Sequence, residues 1–139
     1  MPQIVKGGKW VFGWVVVGRQ GVIRLPPAAQ QEYGFRAGER LAILAGSRRS
    51  GGFALGKPLQ LISAFGPKGS AERKIGETTQ GEDGCVVLPP AMHMQAGSRL
   101  LVVRGSGRAL GFIGRGPIYE EALRHNELET FDTATMSDS

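Results

Sequence analysis

The chain has 139 residues, a formal net charge of +5 and a hydrophobic content of 41%. This length fits one domain or two very small ones, and the apolar content is too high for a disordered protein. The single cysteine, Cys85, excludes an internal disulfide framework and a multi-cysteine metal site. No apolar run approaches the roughly 18–20 residues of a membrane span, and no signal-peptide pattern is visible. We therefore expect a cytoplasmic protein with no membrane partner.

Charge is distributed unevenly along the chain. Residues 1–60 carry nine lysines and arginines against two acidic residues, whereas residues 119–139 carry one arginine against six acidic residues. A basic body of this kind is compatible with a polyanionic partner, nucleic acid first. The alternative is an ordinary solvated basic surface without a specific partner.

The first half of the chain alternates β-branched and aromatic segments with glycine-rich turns. Pro26 and Pro27 end the second such segment because neither can donate to a β-ladder, and Pro27 suits the first turn of a helix. Gly34 suits the position just after a helix. The predicted order is β-β-α-β-β. Its segments are strand 9–17, turn 18–21, strand 22–25, helix 28–33, strand 40–45, turn 46–52 and a return strand from residue 53.

The second half repeats this order with a shorter helix. Strands are predicted at 78–80, 85–88, 99–104 and 110–113, with a helix confined to 91–95. Between the halves, 59–65 is a further strand candidate and 66–74 is predicted to be an exposed loop. A short helix over 118–128 and a disordered polar tail over 130–139 complete the chain.

The two halves are copies of one another in sequence. GRQGVIRLPPA (18–28) matches GEDGCVVLPPA (81–91) at an offset of 63 residues, and GERLAILAGSRRSGGF (38–53) matches GSRLLVVRGSGRALGF (97–112) at an offset of 59. A repeat at this period is a strong indication of architecture. Each copy is too small to form a secure core alone, so we expect the copies to share one. Cys85 occupies the place of Val22, which favours a buried, apolar role for this cysteine.

This element order resembles that of the AbrB/MazE/SpoVT family. The front half of its pattern is clear in GETTQGEDGCVVLPP of the second copy, and the back half in LPPAAQQEYGFRAGERLAIL of the first. The resemblance covers residues 13–55 and 77–113, and two copies in one chain are similar to the MraZ-like arrangement. It implies a mostly-β fold, a swapped-hairpin (cradle-loop, double-psi-related) β-barrel with short helices. The expected units are residues 9–60, residues 75–117 sharing one barrel, and the helix and acidic tail of 118–139.

The resemblance also implies a site, because members of this family commonly bind DNA. The matching basic and polar residues are Arg19, Gln20 and Arg24, and arginine suits phosphate and guanine edges. Arg48 and Arg49 form a second candidate spot, or else a solvated hairpin tip. The chain departs from the family where an arginine often follows the LP step. Gln30 and His93 stand there, and in the second copy Glu82 and Asp83 replace the Arg19-Gln20 pair while Val87 replaces Arg24.

Other chemistry has little support in the sequence. His93 and His125 have no companion ligand at a metal spacing, so no metal or other cofactor is expected. Ser47 and Ser106 have no histidine placed to activate them, so we do not expect an enzyme. Arg40 and Arg99 recur beside a glycine turn and are expected to be structural. Trp10 and Trp14 are expected to lie on one face of the first strand and pack in the core. The remaining hypotheses are therefore non-catalytic.

Three functions remain open. The first is a DNA-binding transcriptional regulator that acts on double-stranded DNA as a homo-oligomer, with its DNA face dominated by the first copy. The second is a structural, self-assembling or protein-interaction module that kept the barrel and lost the DNA face. The third is an antitoxin whose acidic tail binds a partner protein.

Overall fold

The computed structural model describes residues 10–46, 49–105 and 108–133. Its strands are β1 Val11–Val16, β2 Val22–Arg24, β3 Arg40–Ala45, β4 Phe53–Gly56, β5 Lys74–Thr79, β6 Cys85–Val87, β7 Arg99–Arg104, β8 Leu110–Ile113 and β9 Thr130–Phe131. Its α-helices are α1 Pro27–Tyr33, α2 Pro58–Arg73 and α3 Pro117–Ala122, and 3-10 turns lie at Arg19–Gly21 and Pro90–Met92. The predicted β-β-α-β-β order is thus present in the first copy, and in the second a single turn replaces the helix.

Seven strands form one sheet in the order β5-β3-β4-β8-β7-β1-β9, and β2 pairs with β6 in a separate two-stranded sheet. The neighbours are antiparallel except β1 and β9, which run parallel. β5 and β9 stand at the two edges of the larger sheet. The prediction of a mostly-β fold with short helices is therefore confirmed. No helix within the described ranges is long and apolar enough to cross a lipid bilayer.

The two copies exchange their first strands. β1 of the first copy pairs with β7 of the second, with Val15 opposite Leu100, and β5 of the second copy pairs with β3 of the first, with Thr78 opposite Leu41. These two residue pairs are equivalent at the offsets of the sequence repeat. Each copy therefore supplies a strand that completes the ladder of the other. This pairing satisfies backbone groups that one copy alone would leave at open edges.

A local two-fold relation joins the copies at two further ladders. In the β2–β6 ladder Ile23 lies opposite Val86, and in the β4–β8 ladder Phe53 lies opposite Phe112. Each of these pairs joins equivalent positions of the two copies. The loops follow the same rule. The Leu88 N–H donates to the Gly21 carbonyl at 2.8 Å, and the equivalent Leu25 N–H donates to the Gly84 carbonyl at 3.0 Å.

The larger sheet has two covered faces, because successive strand residues point to opposite sides. One face packs against β2, β6 and α1. Its buried cluster is Val15, Val17, Ile23, Leu25, Ala29, Phe35, Leu41, Ile43, Phe53, Leu55, Val86, Leu88, Leu100, Val102, Leu110 and Phe112. The opposite face carries two smaller clusters. The cluster at α2 consists of Ala42, Leu44, Leu61 and Ala109, of which Leu61 belongs to the helix. The cluster at α3 consists of Val11, Trp14, Leu101, Val103, Ile113 and Ala122, of which Ala122 belongs to the helix.

The prediction of a strand at 59–65 and a loop at 66–74 was wrong, since residues 59–73 belong to α2 and Lys74 begins β5. Pro58 occupies the first turn of this helix, where its missing N–H costs no hydrogen bond. Leu61, on the buried side of this helix, is fully buried. Gly66, with φ of 78°, interrupts the helical geometry, and Pro67 follows it. The breaker pair therefore bends the helix where the sequence indicated a loop.

The C-terminal segment also differs from its prediction. α3 ends at Ala122 rather than near residue 128, and Thr130 and Phe131 form β9 beside β1 instead of disordered tail. Residues 134–139 lie outside the described ranges. Gly13 makes this docking possible. The neighbouring Trp14 N–H donates to the Glu129 carbonyl at 2.8 Å, and a Cβ on Gly13 would lie only 2.6 Å from that oxygen.

The same glycine disturbs the expected alternation of the tryptophans. Gly13 has φ of 140°, and the register with β7 shifts between Val11 and Gly13. As a result Trp14 is buried, whereas Trp10 is 41% exposed. The expectation that both tryptophans pack in the core was therefore wrong for Trp10.

Candidate nucleic-acid interface

Arg19 and Gln20 project from the tight turn that leads into β2. Gln20 has left-handed backbone angles, φ 60° and ψ 22°, and Gly21 follows with φ of 77°. The Gly18 N–H donates to the Val22 carbonyl at 2.7 Å and closes the turn. Both Arg19 and Gln20 are exposed. No carboxylate among the described residues forms an ion pair with Arg19, so its guanidinium is available to a ligand.

Arg24 lies on the outer side of the two-stranded sheet. Ile23 is fully buried in the core, so its neighbours Val22 and Arg24 point the other way. Arg24 is half-buried and stands opposite Cys85 in the ladder. Arg19 and Gln20 therefore lie on the exposed turn before β2, and Arg24 lies on the outer side of that strand.

Acidic charge lies close to this surface. Burial and then the Asp83 carboxylate raise the pKa of the Cys85 thiol to about 11, while the Arg24 guanidinium acts to lower it. Both charged side chains therefore act on the same sulfur. Asp83 also accepts a hydrogen bond from the Cys85 N–H at 3.0 Å, which holds the second turn in shape. The negative charge of Asp83 therefore partly offsets the positive charge of Arg24 at this point of the surface.

Each turn lies against the LPP segment of the other copy. The basic turn of residues 18–21 contacts Leu88, whereas the acidic turn of residues 81–84 contacts Leu25 and Gln30. The two halves of the surface are consequently composite. The basic half combines the turn of the first copy with the LPP segment of the second.

Gln30, which stands where the family often has arginine, is engaged inside the protein. Its Nε2 donates to the Leu25 carbonyl at 2.9 Å, and its Oε1 accepts from Gln80 Nε2 at 3.1 Å. Gln80 is 3% exposed, and its own Oε1 is buried without a hydrogen-bond partner among the described residues. His93, the equivalent of Gln30, is exposed with φ of 52°. Gln30 therefore links α1 to Leu25 and to Gln80, and both ends of its side-chain amide are engaged within the protein.

The second candidate spot lies elsewhere. Arg48 falls outside the described residues. Arg49 is exposed and lines a cavity together with Leu44 and Ile113, which belong to the clusters under α2 and α3. That cavity is on the opposite face of the larger sheet from β2 and β6. One flat surface cannot present Arg49 together with Arg19.

Several other basic side chains have structural partners. Arg104 forms a two-pronged contact with Glu32, at 2.8 Å from Nε and 2.5 Å from the terminal nitrogen, and Lys57 lies 3.3 Å from Glu39. The recurring arginines also pair across the exchanged strands. The Arg99 guanidinium lies 4.2 Å from the ring centre of Trp14, and that of Arg40 lies 3.7 Å from the Glu77 carboxylate.

These two contacts are equivalent in the repeat, because Trp14 and Glu77 occupy matching positions. The partners of Arg40 and Arg99 are side chains on the exchanged strands and not the carbonyl groups that we expected.

Metal-binding geometry is not found in the described ranges, where no three His, Cys, Asp or Glu side chains gather to hold an ion. His125 instead joins two carboxylates, with Nδ1 2.7 Å from Glu127 and Nε2 3.0 Å from Glu121. These contacts raise the pKa of His125, that with Glu127 most strongly. They tie the end of α3 to the segment leading into β9.

Comparison with known proteins gives little information on this surface. No protein-family model matches the chain, and no curated protein matches it. One solved structure with detectable similarity is described as the solution structure of PHS018 from Pyrococcus horikoshii. It is 18% identical, covers 77% of this chain and 98% of its own, and superposes with a TM-score of 0.39.

Proposed function

We propose that this protein binds double-stranded DNA through Arg19, Gln20 and Arg24, as an AbrB-like transcriptional regulator. The observation that carries the proposal is the turn between β1 and β2. A left-handed turn exposes Arg19 and Gln20, and Arg24 follows on the outward side of β2. Guanidinium groups on a projecting turn can pair with phosphates and with guanine edges in a groove.

The proposal includes the swapped-hairpin fold. Its support is the exchange of β1 and β5 between the copies, together with the equivalent pairs Ile23–Val86 and Phe53–Phe112 on the local two-fold. In this reading one chain supplies both halves of a unit that single-copy proteins of the family build from two chains. A larger homo-oligomer would then present several basic turns to one duplex.

The surface is expected to bind DNA asymmetrically. Glu82 and Asp83 occupy the turn that corresponds to Arg19 and Gln20, and exposed Val87 occupies the place of Arg24. Carboxylates at this point repel phosphate. The first turn therefore supplies most of the attraction, and the second opposes it.

A retardation assay with duplex DNA tests the proposal. At about 50 mM salt, where release of counterions favours binding, we expect retardation that the double variant R19Q/R24Q abolishes. R124Q removes one arginine from the distant C-terminal segment and serves as the matched control. The variant E82R/D83Q gives the second turn the sequence of the first, and we expect tighter binding with a steeper dependence on salt. Failure to retard any duplex at this salt, or equal loss in R124Q, would refute DNA binding.

A second candidate function is a protein-interaction module that no longer binds DNA. An antitoxin that binds a partner protein would be one example of such a module. The acidic second turn and the internal engagement of Gln30 favour it. Solution mass measured across a range of concentrations distinguishes this candidate. A large regular assembly that ignores duplex DNA would support it, and a strict monomer would count against self-assembly.

A further inference from the structure

A cavity lies over the centre of the larger sheet, on the face away from β2 and β6. Its volume is about 430 Å³, which falls within the roughly 300–1,000 Å³ of small-molecule sites. Ala54 of β4 and Ile113 of β8 contribute to its floor, while Phe65 of α2 and Ile118 of α3 contribute to its walls. The cavity therefore sits between the two helices, across the local two-fold relation.

Small residues keep this space open. Gly46 and Gly105, equivalent in the two copies, both line the cavity, as do Ala109 and Gly111. Leu44 and Val103, also equivalent, give the lining its apolar character. A ligand body that rests on this floor would remove apolar surface from water, which favours binding by the hydrophobic effect.

Positive charge surrounds the apolar floor. Arg49 comes from the β3–β4 connection, Arg73 from the end of α2 and Arg115 from the segment after β8. No aspartate or glutamate is among the described residues that line the cavity. Because three arginines and no acidic residue belong to this described lining, it presents a positive field that attracts an anion.

Two of these arginines are held in position. The Arg73 guanidinium stacks over the Phe65 ring, 4.6 Å from its centre. The backbone N–H of Arg115 donates to the Ser50 carbonyl at 2.9 Å, and a Cβ on Gly51 would lie 2.9 Å from Arg115 Nε. Gly51 thus leaves room for the Arg115 side chain to lie along the backbone. A side chain that is restrained like that of Arg73 loses less freedom when a ligand binds.

We infer that the cavity binds a small organic carboxylate with an apolar body. The apolar part would occupy the floor over β4 and β8, and the carboxylate would pair with the guanidinium groups of Arg73 and Arg115, whose planar donors match its two oxygens. This site is separate from the proposed DNA surface, because the two lie on opposite faces of the sheet. Its occupancy does not depend on DNA binding.

Titration of the full chain with octanoate, followed by calorimetry and by methyl NMR, tests the inference. We expect saturable binding that shifts the methyl signals of Leu44, Ala54 and Ile113. Acetate keeps the charge without the apolar body, and 1-octanol keeps the body without the charge, so both are expected to bind at least about tenfold more weakly. R73Q/R115Q is expected to weaken octanoate binding by a similar factor, whereas R124Q leaves it unchanged.

Other outcomes would overturn the inference. Equal binding of 1-octanol and octanoate would show that the pocket is merely apolar. Absence of saturable octanoate binding would show that the cavity is not a site for small organic carboxylates. A dimer that forms with concentration and is lost in R73Q/R115Q would assign the face to a second copy of the chain. Ala54→Leu fills the floor without touching an arginine. With folding verified by circular dichroism, it must also weaken octanoate binding if the cavity is the site.

Discussion

Phe53 and Phe112 stack on one another across the β4–β8 ladder, with ring centres 4.6 Å apart and planes inclined by 12°. They are equivalent residues of the two copies and lie directly opposite in the register. Both are buried in the cluster shared with β2 and β6. The two copies therefore meet at their own matching residues, in the middle of the common core.

Because their surroundings are equivalent, truncation of either ring should destabilise the protein equally. We expect Phe53→Ala and Phe112→Ala each to lower the free energy of unfolding by about 3–5 kcal/mol. The double variant should lose less than the sum, since the two rings share one contact. Urea denaturation measures all three values. A difference of more than about 2 kcal/mol between the single variants would contradict an equivalent role.

Gly52 lies where the backbone of β8 comes closest to β4. A Cβ at this position would lie 1.6 Å from the Phe112 carbonyl oxygen, so Gly52→Ala must displace one of the two central strands. We expect a loss of at least about 2 kcal/mol in thermal or urea denaturation. Gly69→Ala in α2 is the control. Its Cβ would meet only Phe65 at 3.6 Å, and helix propensity favours a gain of up to about 1 kcal/mol.

Cys85 should react slowly with alkylating reagents. With a thiol pKa of about 11, only about one molecule in ten thousand carries the thiolate at pH 7. Iodoacetamide labelling followed by mass spectrometry should be far slower than for a small-molecule thiol. Asp83→Asn removes the nearby negative charge and should speed labelling. Cys85→Val, which copies Val22 of the first repeat, should leave stability nearly unchanged, whereas rapid labelling of the unmodified protein would contradict the burial of this thiol.

His125 should hold its proton to higher pH than an ordinary histidine, because Glu127 and then Glu121 raise its pKa above 6.5. Since the pKa is higher in the folded state than in the unfolded chain, this contribution to stability is fully present below about pH 6.5. It is lost as the pH rises through the folded-state value. NMR titration of the imidazole signals gives the pKa directly. Glu127→Gln should lower it, and an unchanged value in that variant would show that the carboxylate is not its partner.

The sequence was sufficient for most strands because the signals are local. Glycine turns and the LPP steps mark where β2 and β6 begin and end. Because the sequence is repeated, each element is predicted from two equivalent segments. The helical segment 58–73 was missed because the contact that fixes it is tertiary. Leu61 packs with Ala42 and Leu44 of a strand well before it in the chain. The Gly66-Pro67 pair is typical of a loop in sequence, whereas in the structure it lies at a bend within α2.

The candidate sites show the same division. Arg19, Gln20 and Arg24 are close in sequence, so a motif could place them in and just before one short strand. The cavity arginines Arg73 and Arg115 come from distant segments and have no common spacing. The exchange of strands has a similar origin. It depends on which copy supplies the partner of each edge, and neither periodicity nor composition distinguishes the two possibilities.

The exchange of first strands has a consequence for synthesis on the ribosome. β1 is made first, yet its partner β7 emerges only after β2 to β6 have been translated. β3 likewise awaits β5 for its outer ladder. A nascent chain that stalls between the repeats therefore displays β1 without its partner and β3 with one open edge, and another nascent chain could pair with either. Steady translation of the second repeat is therefore required if β1 and β3 are to pair with strands of their own chain.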